Sequence, residues 1–278
     1  MGMTSPSRRV MRTASNGVLL LVTLAFALPL IWLVLASVDT RATLSIKLPE
    51  TFSLQNFTDV MTPETAFIPL LNSLFLAGGC AVITVTVAVL AAYPLSRYKM
   101  RVNKPFLYGV LFGTCLPITA MMVPVYALFV AFNLIDSLPG TTLFLAATSL
   151  PIAIYMTKNF MDSVPVSLEE AAWMDGASML TTLTRIVIPL MRPGLAVVFI
   201  FVFIGAWGNF FVPFVLLLSP DKLPAAVSIF SFFGQYGTVA YGQLAAFSLL
   251  YSLPVITLYV FVSRVLGGSS AMAGAIKG

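Results

Sequence analysis

The sequence predicts an all-α membrane protein with six transmembrane helices, and three observations predict it. Of 278 residues, 59% are hydrophobic and 9% are charged, where a soluble domain carries about 25% charged residues. A soluble chain this apolar would turn large greasy patches to water. The charges leave six free intervals, at 13–38, 65–96, 105–135, 137–157, 193–220 and 223–263. The shortest is 21 residues long, and a helix needs about 20 to cross the hydrocarbon core. Third, the basic residues divide sharply between alternate loops.

Taken in order, a tail at 1–16 carries Arg8, Arg9 and Arg12 ahead of a first span near 17–38. Its basic start is like that of a signal peptide. The apolar run is longer than an h-region of about 7–15 residues, and no A-x-A cleavage site follows Val38, so an uncleaved span is expected. The second span lies near 70–93. Its branched run Ala81–Leu90 is β-like in isolation, but a lone segment in lipid must satisfy its backbone internally, and only a helix does so. A membrane barrel would alternate apolar and polar residues in segments of about ten along the chain. Further spans are expected near 106–132, 138–157, 194–218 and 243–265, and the transmembrane body extends over 17–278. Pro29, Pro117, Pro124, Pro151, Pro213 and Pro254 each remove a backbone hydrogen bond and predict kinks. Gly109 and Gly113 fit a small-x-x-x-small packing pattern. Cys80 and Cys115 read as small apolar packing residues, with no disulfide framework and no metal spacing.

Twelve of the 15 basic residues, among them Arg8, Arg97, Lys104, Arg185 and Arg264, fall on one side; Arg41, Lys47 and Lys222 fall on the other. The positive-inside rule then puts both termini in the cytoplasm. The net charge of +5 is thus a topology signal and points to no nucleic acid. There is no histidine, and no predicted span holds an acid or a base. Ion-coupled carriers usually place ionisable groups there, although carbonyl-only ion sites at broken helices remain open. Intramembrane serine–histidine proteolysis is excluded, and no catalytic or metal-ligating residue is nominated. With no G-x-x-x-x-G-K-[ST] loop, energy for uphill transport would come from another subunit.

The cytoplasmic stretch 163–190, before the fifth span, is different in kind. Ser167 and Glu170 form an S-x-x-E capping box, which predicts a short helix. Gly176 can take the left-handed conformation that closes it. A second helix would gather Met179, Leu180, Leu183, Ile186, Val187 and Leu190 on one face and Thr181, Thr182, Thr184 and Arg185 on the other, ending at Pro189 and Pro193. By periodicity alone, this helix–Gly–helix elbow reads as an interfacial amphipathic helix resting in the headgroups.

Glu170-Ala171-Ala172, three residues, Gly176, nine residues, Ile186, one residue and Ile188-Pro189 resemble the EAA loop of ABC importer membrane subunits, EAA-x3-G-x9-I-x-L-P, with Ile188 for leucine. Asp175-Gly176-Ala177 matches its common D-G-A wording. Asn72-Ser73, Ala91-Ala92-Tyr93 with Arg97, the Trp207 segment and Gly274–Gly278 resemble the maltose-type carbohydrate permeases over roughly 70–278. One departure is Trp207-Gly208-Asn209, where that branch usually has Trp-Asn and an acid.

The resemblance implies a multi-pass subunit of the bacterial cytoplasmic membrane that forms half of a sugar importer's channel. It implies a second homologous permease, two copies of a cytoplasmic ATPase that uses ATP and Mg, and an extracytoplasmic binding protein. This chain itself would hold no cofactor. The elbow would be the coupling helix, with Glu170 as polar contact, Gly176 as bend, and Leu180 and Leu183 as docking surface; Ala171, Ala172, Asp175, Ile186 and Pro189 complete the motif. Asn72, Tyr126, Trp207, Asn209 and Gln243 are candidate solute contacts among apolar spans. In the outer loop, near 219–242, Gln235 and Tyr236 are candidate contacts to the binding protein. The alternatives are a permease for another solute, such as glycerol-phosphate or a polyamine, and a stand-alone ion-coupled carrier.

The charge asymmetry makes a direct prediction. In a cysteine-free variant, a membrane-impermeant thiol reagent added outside should label Ser45→Cys and spare Met100→Cys. The opposite pattern would invert the topology.

Overall fold

The structure is a computed structural model that describes the backbone of residues 6–234 and 239–265, and the side chains of 15–234 and 239–264. Its regular structure is helical; an isolated bridge between Phe233 and Val239 is the only extended pairing among the described residues. The chain divides into two compact units. One holds the described residues up to Ala66 together with 229–252; the other holds 67–228 and the described residues from Leu253 on.

In the first unit, α1 (Pro6–Ser37) begins well before residue 17 and runs 32 residues, about 48 Å. No side chain from Ser15 to Leu35 is buried, so its own unit leaves its apolar surface uncovered. Beyond α1, Asn56 of α2 (Gln55–Val60) donates its amide to the carbonyls of Ser37 and Asp39 at 3.1 and 3.0 Å. The Trp32 indole donates to the Thr43 carbonyl at 3.0 Å.

The second unit is built on α3 (Ile68–Arg97), which a π-helical turn, Pro63–Phe67, precedes. Beyond it come α4 (Asn103–Gly113), α5 (Ile118–Ala131) and α6 (Leu138–Asp162). The elbow comprises α7 (Val166–Met174), α8 (Met179–Thr182), a π-helical turn (Leu183–Val187) and α9 (Ile188–Leu190). It leads to α10 (Arg192–Trp207), α11 (Phe211–Leu216) and α12 (Ala225–Ser228); α13 (Tyr241–Val265), the last helix among the described residues, belongs to the first unit up to Ser252 and to the second from Leu253. α3 packs chiefly on α6 and α10. Small residues permit this, since lipid gives no hydrophobic drive between helices and close van der Waals contact must hold them. Ala77, Cys80, Ala81 and Ala88 of α3 are fully buried. Thr84 donates to the Ala146 carbonyl of α6 at 3.3 Å.

Among the described residues, four helical stretches are long and apolar enough to cross a membrane, and two bent pairs bring the number to as many as six. The expected third span is not one helix: α4 and α5 meet at 90°. Thr114, Cys115 and Leu116 close short i→i+3 turns, and Pro117, which has no N–H, sits extended at ψ 125°. Pro29, Pro124, Pro151 and Pro254 instead lie inside helices that run through them. The expected fifth span also divides, because α10 ends at Trp207 and α11 starts at Phe211.

Asp136 fastens the loop between α5 and α6 to the segment after α11. It is left-handed at φ 60°. Its N–H donates to the Leu216 carbonyl at 2.8 Å. Its carboxylate accepts from the Leu218 and Ser219 N–H groups at 2.9 and 3.0 Å, and from Lys222 Nζ at 2.8 Å. Lys222 first, then the Ser219 bonds, hold this carboxyl well below the usual range, and the pairing raises the Lys222 ammonium.

Two predictions follow from this packing. A depressed carboxyl stabilises the fold above its unfolded pKa, about 3.9, and that contribution fades as pH falls through the lower folded value. The raised Lys222 contributes fully below its unfolded pKa and is lost as pH rises through its folded one. Asp136→Asn should therefore lower the melting temperature at neutral pH, with the difference from wild type shrinking at strongly acid pH. A pH-independent difference would mean the charge is idle. At Gly194, an added Cβ would lie 2.8 Å from Phe160 Cβ. Gly194→Ala should cost roughly 1–3 kcal/mol by overpacking, whereas Gly205→Ala, with nothing within 4 Å of its Cβ, should melt nearly as wild type does.

Candidate functional site

The elbow joins α6 to α10, and its local structure follows from its sequence with one exchange of roles. α7 starts after Pro165, which is extended at ψ 126° and offers no side-chain cap. Ser167 therefore lies inside the first turn, and the expected Ser167–Glu170 capping box does not form. Glu170 is exposed. The capping side chain belongs instead to Ser178, whose hydroxyl accepts from the Thr181 N–H at 3.3 Å to open α8.

Gly176 adopts φ 82°. The Ala177 N–H donates to the Ala172 carbonyl at 2.9 Å, and the Gly176 N–H to the Trp173 carbonyl at 3.0 Å. That pair of bonds is a Schellman closure, with Asp175 as the last residue of the turn. No atom lies within 4 Å of a Cβ placed on Gly176, so backbone conformation, not space, demands glycine there.

The expected apolar face of the second arm divides in two. Leu183, Val187 and Met191 are buried against Val89, Ala92 and Tyr93 of α3 and Met161 at the end of α6. Leu183, expected on the docking surface, is thus part of the elbow's seat in its own chain. Thr182, expected on the polar face, is also buried and donates to the Ser178 carbonyl at 3.1 Å. Leu180 and Met179 point away, 65% and 47% exposed, and Met174 at the tip of α7 is 89% exposed. Ile186 and Pro189 are half-buried, Ala172 likewise, and Ala171 is exposed. After Pro189 the chain bends 79° into α10.

Sequence reasoning passed over Glu169. Its side chain is fully buried, and its Oε1 lies 2.6 Å from Nε of Arg97, itself 5% exposed. Its Oε2 accepts from the Tyr93 hydroxyl at 2.8 Å. Arg97 also donates to the Val164 carbonyl at 3.1 Å and to Ser96 Oγ at 3.1 Å. Removing one partner of such a pair would strand a buried charge, at about 3–5 kcal/mol. Two adjacent acids stand in the sequence, and only the rotational phase of α7 decides which one turns inward.

The candidate solute contacts fare differently from one another. Asn72 donates to the carbonyls of Asp221 and Leu223 at 2.9 and 3.2 Å. Asn209 Oδ1 accepts from the Val212 N–H at 3.1 Å and opens α11. Gln243 donates to Asp59 at 3.3 Å. Each amide thus serves the chain's own structure. Trp207 is buried and stacks on Phe203 with centroids 5.6 Å apart. Tyr126 of α5 is 39% exposed. Gln235 and Tyr236 lie outside the described residues, as do 274–278.

Residues 84–268 match the family model of binding-protein-dependent transport system inner membrane components. The chain is 30% identical over 237 residues to the inner membrane ABC transporter permease protein YcjP of Escherichia coli (strain K12), covering 83% of this chain and 82% of that one. It is 29% identical over 258 residues to the trehalose transport system permease protein SugB of Mycobacterium tuberculosis (strain CDC 1551 / Oshkosh), covering 90% and 92%. The fold is also similar to a chain of a bacterial ABC transporter involved in import of the acidic polysaccharide alginate. There the TM-score is 0.82 at 23% identity, covering 95% of this chain and 99% of that one. With its apolar helices and its elbow before α10, the chain belongs to the family of binding-protein-dependent transport system inner membrane components.

Proposed function

We propose that this chain forms half of the membrane channel of an ATP-driven importer for a sugar or oligosaccharide, and that the elbow 163–190 couples the channel to a cytoplasmic ATPase. The observation that carries the coupling is the division of the elbow into two faces. Leu183 and Val187 seat it on α3 and α6. Met174, Met179 and Leu180 stand exposed on the other side, with Glu170 nearby on α7. An apolar patch rimmed by a charge marks a protein contact. Closure of the ATPase, which uses ATP and Mg, would push this patch, and the helices would rock as rigid bodies about a central site.

The complete importer would hold a second homologous permease, two ATPase copies and an extracytoplasmic binding protein, with both termini of this chain in the cytoplasm. The exposed α1 gives a surface for lipid or the second permease. A sugar is favoured because the trehalose permease of Mycobacterium tuberculosis is similar to this chain along nine-tenths of its length, and because the predicted spans carry no charge that a phosphate ester or polyamine would need. Of the proposed solute contacts, Tyr126 keeps an exposed aromatic face; Gln235 and Tyr236 remain proposed contacts for the binding protein.

The test separates coupling from folding. At Gly176, a branched residue would meet a left-handed backbone, at about 1–2 kcal/mol. That strain falls on a surface turn, so Gly176→Val and Glu170→Arg should both reach wild-type levels in the membrane and lose uptake. Glu170→Arg should also retain less ATPase on purification. Since Glu170 makes no capping bond, Glu170→Gln reports on its charge alone and should show an intermediate loss. Wild-type uptake and ATPase retention in all three would remove the elbow from the coupling pathway.

A further inference from the structure

The seat of the elbow is already sealed by Leu183 and Val187, yet a fully buried carboxylate sits beside it. Burying an ion pair is a poor source of stability, because desolvation offsets the attraction. What it supplies is direction: hydrogen bonds weaken steeply away from their preferred angle, whereas apolar contacts allow sliding. Glu169 uses both oxygens on residues four apart on α3, Tyr93 and Arg97. Arg97 in turn holds the Val164 carbonyl in the link from α6 to α7. Its neighbour Ser96 donates to Asp162, the last residue of α6, at 2.5 Å. α7 therefore cannot turn on its apolar seat without breaking two bonds to the end of α3.

The other end of α3 is also held. Asn72 donates to the carbonyls of Asp221 and Leu223, and Ser73 Oγ accepts from the Ala225 N–H at 2.9 Å. Between Asn72 and Tyr93 lies about 32 Å of helix. We propose that Glu169 is a positioning residue: it pins α7 to α3, so that α3 and the elbow move as one lever when the elbow is pushed. The function of the pin rests on the elbow being the ATPase dock. The pin itself does not, because it predicts a fixed geometry within this chain.

The experiment measures that geometry in the assembled complex in nanodiscs. Spin labels are placed on Ser167→Cys of α7 and Leu90→Cys of α3, both exposed, in a chain carrying Cys80→Ala and Cys115→Ala. Wild type should give one narrow distance distribution, identical without nucleotide and with ATP–vanadate. Glu169→Ala should broaden it and make it depend on nucleotide, while the ATPase still co-purifies and still hydrolyses ATP. The variant Glu169→Leu/Arg97→Met leaves no stranded charge to unfold the chain and should behave the same way. Tyr93→Phe, which keeps the ion pair, should show a smaller broadening. A wild-type distance that changes with nucleotide overturns the pin, as does a double variant whose distribution stays narrow and invariant. Loss of ATPase from Glu170→Arg with the pin intact, or its retention there, bears on the docking reading and leaves this distance unchanged.

Discussion

In hydrocarbon no water is at hand to satisfy a peptide group, and every N–H and C=O must find its partner within the protein. That requirement makes the chain helical, and it also governs each place where the helices stop. Outside the spans, the exposed turn 175–178 closes in a similar way, with the last carbonyls of α7 taken by a Schellman closure and the next helix opened by the Ser178 hydroxyl. At 208–210 the Asn209 amide opens α11. At 114–117 the chain closes i→i+3 turns before Pro117, whose missing N–H needs no partner. Breaks occur where a side chain or a tight turn is ready to take the freed groups.

The same economy explains where the polar side chains went. Amides that a functional reading would give to a solute serve the chain itself: Asn72 donates to two backbone carbonyls, Asn209 accepts from a backbone N–H, and Gln243 donates to Asp59. Charge is gathered at helix ends, where Asp136 holds Lys222 beyond α5 and Glu169 holds Arg97 where α3 ends. Between those ends, Cys80 and Thr84 sit in the contact of α3 with α6 and bond only through sulfhydryl and hydroxyl groups. Helices joined by small residues and anchored at their termini can rock as bodies, which suits a subunit of a transport system.

The elbow combines two requirements in one short segment. Its inner face is attached to its own chain, and its outer face is left exposed, as the proposed docking requires. A single amphipathic helix would supply only one apolar face. The π-helical turn Leu183–Val187 alters the phase within the second arm, and the Gly176 bend sets α7 apart from it. Leu183 and Val187 thereby go inward while Leu180 and Met174 stay outside.

Composition, charge spacing and the EAA spacing made the membrane class, the helical fold, the family and the site of the elbow legible in the sequence, because each depends on local pattern and on the solvent the chain must match. Gly176 was legible for the same reason, since a left-handed residue closing a helix is a property of a few consecutive residues. Other features depended on which helix faces which. Nothing in the residues 106–132 marks Pro117 as a break and Pro124 as a residue the helix runs through; the surrounding turns settle that. Glu169 and Glu170 are chemically the same, and a rotation of about 100° per residue sends one into the interior and the other to the surface. Only the packing of α7 on α3 could choose between them, because a buried carboxylate is tolerable solely where Arg97 and Tyr93 already wait.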